Sequence, residues 1–129
     1  GDALYVPVIK NADQLSILGI AKALETLIEK TKANALTTDH VSGGTFTVNN
    51  TGAFGSIASG PIINTPQAAI ITMESIVKRP VIVGEAIAIR DMVNFCLSLD
   101  HRVLDGLSAG KFMQSVKQKM ESYDLSTEL

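Results

Sequence analysis

One junction restricts the fold of this chain more than any other feature. An apolar run, Met92 to Leu99, ends at Asp100-His101-Arg102-Val103-Leu104-Asp105-Gly106, and a helical pattern, Leu107 to Tyr123, follows at once. The run is apolar on one face and mixed on the other, which predicts a central strand. Beyond the junction Ala109, Phe112, Met113, Val116, Met120 and Tyr123 recur at helical spacing, whereas Lys111, Lys117, Lys119 and Glu121 are polar. That pattern predicts an amphipathic helix of about four turns. With 129 residues the chain can form one domain with a real core. The expectation is an α/β (α+β) fold, a two-layer sandwich around a mixed β-sheet.

The rest of the chain supplies the other elements. Leu4 to Ile9 is strand-like, and Pro7 places it at an edge or makes it irregular. Asn11, Asp13 and Ser16 offer caps for a helix whose apolar stripe is Leu15, Leu18, Ala21, Leu24, Leu27 and Ile28, ending near Asn34. Residues 35–44 read as a loop, with His40 a solvated member of it. Thr45 to Asn49 alternates with period two, Phe46 and Val48 on the apolar face and Thr45, Thr47 and Asn49 on the polar one. Residues 50–66, rich in Gly, Ser, Asn and Pro, form a long loop whose Phe54, Ile57, Ile62 and Ile63 favour packing on a neighbour. Ala68 to Met73 reads as a buried strand, and Lys78-Arg79-Pro80 as an interruption. Val81 to Val83 and Ala86 to Ile89 flank Gly84-Glu85 as a tight hairpin. The tail from Asp124 to Leu129 is expected to fray.

Composition narrows the partners. A net charge of −2, no basic run and few aromatics argue against nucleic acid or an anionic membrane. No apolar run reaches the ~18 residues a bilayer span needs. A single cysteine, Cys96, makes no internal disulfide, which suits a reducing compartment. A mean hydropathy of +0.24 is high for a lone soluble domain and predicts apolar surface for partner subunits, although a strongly β core would raise it too.

Several chemistries can be weighed on residues alone. Histidine has an ordinary pKa near 6.5, close to working pH, so an imidazole between a strand and a helix is well placed as a general base. His101 therefore has two readings, a base or a hydrogen-bonded structural histidine. If the strand conformation persists to it, His101 shares parity with Val93, Phe95, Leu97 and Leu99, and Cys96 points to the other face, which disfavours a Cys–His nucleophilic pair. Asp105 precedes a helix and fits an N-cap, a role compatible with holding the histidine loop. No Gly-x-Ser-x-Gly elbow or phosphate-loop Gly-Lys-Ser/Thr occurs, and His40 has no metal-ligand partner at suitable spacing.

Four blocks, in order, carry a resemblance. They are Val6-Pro7-Val8-Ile9 with the long helix after it, Gly43 to Gly52, Ile62 to Ile70, and Leu97 to Gly106 with its Asp-His-Arg-Val-Leu-Asp-Gly. Together they resemble the catalytic domain of the dihydrolipoamide acyltransferases, the E2 components of 2-oxo acid dehydrogenase complexes, a fold shared with chloramphenicol acetyltransferase. Ser75 to Ile82 is most similar to bacterial branched-chain members. The resemblance implies that residues 1–129 are the C-terminal part of that domain, with the lipoyl and peripheral-subunit-binding domains absent. It implies acyl transfer between dihydrolipoamide and coenzyme A, with His101 as general base and Asp105 as its support. Asn49 stands where the family often has a serine that hydrogen-bonds the tetrahedral intermediate; Thr47 or Asn50 could take that role instead. The substrates implied are coenzyme A and a lipoamide on an absent domain, with no metal. The partners implied are two further copies in a homotrimer, which builds a cubic or icosahedral core, and E1 and E3 through the absent domains. A bacterial cytoplasm, or a mitochondrial matrix in a eukaryote, is the location expected. The alternatives weighed are a chloramphenicol-type O-acetyltransferase, a non-catalytic scaffold piece of the core, and an acyl-CoA binding module.

Overall fold

A computed structural model describes residues 4–124 and 126, and the chain divides into two units, Gly1–Thr45 with Ser122–Leu129, and Phe46–Glu121. In the first unit the expected strand at Leu4 to Ile9 does not form. Pro7 lacks an N–H, and the bond from Val8 N–H to the His40 carbonyl, 2.8 Å, does not extend into a ladder. Helix α1 runs Ile17–Lys32, and of the three candidate caps Ser16 is the one used, its hydroxyl accepting from Gly19 N–H at 3.0 Å. Asn34, at φ 51°, takes the left-handed position that closes the helix, with Asn34 N–H donating to the Thr31 carbonyl and Ala35 N–H to that of Lys30. Leu27 is the one member of the apolar stripe that is buried.

The loop expected at 35–44 contains a helical turn, α2, Thr38–Val41. His40 is half-buried in it rather than solvated. Its Nδ1 accepts from Thr37 N–H at 3.0 Å and lies 2.8 Å from the Thr37 hydroxyl, and its Nε2 lies 2.7 Å from Lys30 Nζ. The Thr37–His40 capping box closes this short turn.

The second unit holds β1 (Thr47–Asn50), β2 (Ala69–Met73), β3 (Val77–Val83), β4 (Ala86–Met92), β5 (Phe95–Leu99) and α3 (Gly106–Glu121). Its three-stranded sheet has the order β1-β2-β5, with β1 parallel and β5 antiparallel to β2, the mixed sheet expected. Strand β2 takes the centre, buried from Ala69 through Thr72, which accounts for its unbroken apolar reading. The run at Met92 to Leu99 is divided by Val93-Asn94, and β5 lies at an edge rather than the centre. The long segment after β1 is the crossover that a parallel pair requires, which is why it exceeds an ordinary turn. On β1 the expected apolar face stays open: Val48 is 75% exposed. Phe46 instead packs edge-on against Phe112 of α3, ring centroids 5.6 Å apart at 63°. Half-buried Ala109, Met113 and Val116 mark the covered face of α3, which packs on β5.

Strands β3 and β4 form a separate two-stranded ribbon. Lys78-Arg79-Pro80 does not interrupt it; β3 runs through, with Pro80 opposite Ile89. A two-stranded ribbon leaves one edge of each strand unpaired, so a missing N–H can be tolerated there. Gly84, φ +63°, and Glu85 make the two-residue turn expected, glycine in the first position as a II′ turn demands. Helix α3 ends at Glu121, short of Tyr123, and within the expected tail residues 125 and 127–129 lie outside the described residues.

Candidate active site

The turn after β5 is welded to the central strand by Asp100. Its N–H donates to the Ala68 carbonyl at 2.8 Å, and its own carbonyl accepts from Val103 and Leu104 N–H, each at 3.1 Å. Its carboxylate accepts four bonds from Arg102: from the backbone N–H to Oδ1 at 3.0 Å, from Nε to Oδ1 at 2.9 Å and to Oδ2 at 3.2 Å, and from Nη2 to Oδ2 at 2.7 Å. The Arg102 side chain, and then its backbone N–H, hold the Asp100 carboxyl down at about 2. Neither residue was singled out from sequence. Their signal was available, because an Asp two places before an Arg at a strand end can close an Asx turn.

His101 sits at the crest of that turn, exposed, with no hydrogen bond or ion pair to another described residue. Regular strand ends at Leu99, so the parity expected to govern His101 does not reach it. Cys96 is half-buried, opposite Thr72 in the sheet. Asp105 is the N-cap of α3: Oδ1 accepts from Ser108 N–H at 2.7 Å. That backbone N–H is also the main cause of its lowered pKa. No bond joins Asp105 to His101 among the described residues, so any hold on the histidine passes through the helix start.

The three donors considered on β1 and just beyond it differ in what they already do. The Thr47 hydroxyl donates to Gln67 Oε1 at 2.6 Å. Asn50 Oδ1 accepts from Gly52 N–H at 2.9 Å. Asn49 is exposed and makes no side-chain bond to a described residue, which leaves its amide free.

Within one chain the two ends of the site lie apart. Asn49 pairs with Thr72 toward the end of β2, whereas β5 leaves the sheet beside Ala69, carrying His101 beyond it. With a rise of about 3.3 Å per residue and about 4.8 Å between strands, the Cα atoms of Asn49 and Leu99 are ~14 Å apart. His101 and Asp105 are thus brought onto one strand-to-helix turn, and Asn49 is not brought to them.

A further group escaped the sequence reading. Glu74, just past β2, is 1% exposed. Its carboxylate accepts from Thr51 Oγ1 at 2.7 Å and Ser59 Oγ at 2.5 Å. The hydroxyls of Ser59 and Thr51 outweigh desolvation, which would raise the pKa, and the carboxyl falls to about 2. An acid directly continuing an apolar strand, matched by a hydroxyl-rich loop, was the available sign.

Residues 1–127 match the 2-oxoacid dehydrogenases acyltransferase (catalytic domain) family. The chain is 61% identical over 127 residues to the lipoamide acyltransferase component of the branched-chain alpha-keto acid dehydrogenase complex of Bacillus subtilis, covering 98% of this chain and 30% of that protein. A probable dihydrolipoamide acetyltransferase from Listeria monocytogenes superposes at a TM-score of 0.95 with 57% identity, over all of this chain and 55% of that one. The dihydrolipoamide acetyltransferase of Azotobacter vinelandii, studied for the catalytic roles of a serine, a histidine and an asparagine, gives 0.86 and 36%, over 92% of this chain and 49% of that one. The chain thus spans under a third of the Bacillus protein and about half of each structural relative, and by its match along nearly its whole length it belongs to the 2-oxoacid dehydrogenase acyltransferase catalytic-domain family.

Proposed function

We propose that this chain is the C-terminal part of an acyltransferase domain that moves an acyl group, of the branched-chain class, between dihydrolipoamide and coenzyme A. The observation that carries this reading is His101, exposed and unengaged at the top of a turn that Asp100 fixes to the central strand. A thiol of ordinary pKa, about 8–9, is mostly protonated at neutral pH. Neutral His101 takes that proton as the coenzyme A sulfur attacks the thioester carbonyl of S-acyl-dihydrolipoamide. The tetrahedral oxyanion accepts from the Asn49 amide. Collapse breaks the bond to the lipoamide sulfur, which leaves with the proton from His101. No covalent bond to the protein forms.

Because Asn49 and His101 of one chain stand at opposite ends of the sheet, the complete site takes its base from one copy and its oxyanion donor from another. The spacing along the chain supports these assignments: Asn49, His101 and Asp105 are separated by the same intervals as the serine, histidine and asparagine studied in the Azotobacter enzyme. An amide N–H replaces the hydroxyl as donor, at somewhat longer reach. His101→Ala should abolish acyl-CoA formation with an unchanged melting temperature, and retention of full activity would end the proposal. Co-assembling H101A with N49A should restore about a quarter of wild-type activity, because random pairing gives one site in four both intact groups. No recovery in verified mixed assemblies would show that both groups act within one copy.

A further inference from the structure

We infer that Glu74 is a positioning residue for Asn49: by clamping the turn that leaves β1, it sets where the Asn49 amide stands in the active site. This inference rests on the oxyanion-donor assignment above.

Strand β1 is four residues long and, among the described residues, pairs with β2 alone, so its far end needs a second hold. Glu74 and its neighbours supply one. Thr51, two residues past Asn49, donates its backbone N–H to the Met73 carbonyl at 3.1 Å and its hydroxyl to Glu74 Oε2 at 2.7 Å. Since that hydroxyl proton points at Glu74, the contact of 3.3 Å between Thr51 Oγ1 and Thr72 Oγ1 takes its proton from Thr72, the residue paired with Asn49. Gly52 then passes so close that a Cβ there would lie 2.7 Å from the Glu74 carbonyl oxygen, and its own carbonyl accepts from Ser75 Oγ at 2.7 Å. On the other side Ser59 Oγ reaches Glu74 Oε1. A carboxylate accepts from both hydroxyls at once, whereas a glutamine presents an N–H₂ to one of them and forces it to turn. The carboxylate is therefore the side chain this turn requires.

The test is a double-mutant cycle on acyl transfer in the assembled protein, with thermal melts as folding controls. Glu74→Gln should lower kcat about 10-fold with little change in the KM for coenzyme A, as expected for a donor moved by a fraction of an ångström. Thr51→Val cuts the same link from the other side and should act alike, which keeps the test open should E74Q fold poorly. In an Asn49→Ala background, itself slowed by about 10²–10³, neither change should slow turnover further. If E74Q and T51V slow N49A by the same factor as they slow the wild type, or leave the wild type at full rate, Glu74 does not act through Asn49. If N49A alone runs at the wild-type rate, the donor assignment fails first, and the cycle separates that failure from the other.

Discussion

Strand β2 and the β3–β4 ribbon are made from similar residues and meet opposite fates. In β2, Ala69, Ile70, Ile71 and Thr72 are all buried, with a strand on either side. In the ribbon, Ile82, Ile87 and Ile89, together with Pro80, share one face, and those isoleucines are 70–75% exposed. Apolar character marks a residue that must be covered and does not say by what. In β2 the chain provides the cover. On the ribbon face it does not, and the open Val48 of β1 belongs to the same class. The hydropathy of the sequence thus sums two populations, one spent on the internal core and one left over at the surface.

The largest effect that would test this contrast is in β2. Ile71→Ala should cost about 2–5 kcal/mol in a denaturant melt, since neighbours on both sides prevent the site from collapsing. A loss below about 1 kcal/mol would erase the distinction between the two regions. Glu74, at the end of β2, sharpens it by charge. Its pKa is lowered from the ordinary 4.5 to about 2, so the stability it contributes is complete above about 4.5 and is lost as pH falls from there toward about 2. Melts across that window should decline with acid, and E74Q should flatten the part of the decline that Glu74 causes. An unaltered slope in E74Q would mean that the end of β2 is open to water. The smallest effect belongs to the ribbon. Ile87→Ser should change the stability of the isolated chain by no more than about 0.5 kcal/mol, and a loss comparable to that of Ile71→Ala would show that the face is already covered.

The elements legible from sequence were those whose pattern depends on local physics. The helical spacing from Ala109 onward, the Gly84-Glu85 turn and the unbroken run at Ala68 to Met73 each needed only their own residues. The unread parts depended on partners far along the chain. Pro80 looked like a stop because nothing local reveals that its strand has a free edge. Leu4 to Ile9 looked like a strand because nothing local reveals that no ladder awaits it. Met92 to Leu99 reads as a central strand because its own pattern cannot announce that β2 occupies that position. At the site, His101 and Asp105 stood out through their spacing, and Asp105 proved to be the cap its position suggested. Glu74 stayed hidden because its meaning lies in Thr51 and Ser59, brought to it only by the crossover.

The placement of Asn49 and His101 at opposite ends of one sheet has an arithmetic consequence. Under the proposed function each polypeptide carries two unlike halves and no whole. A head-to-tail row of copies with free ends always strands one half at each terminus, whereas a row that closes on itself wastes none. Turnover per polypeptide would then count junctions, each adding one working site, and would reach one site per copy only when the row closes.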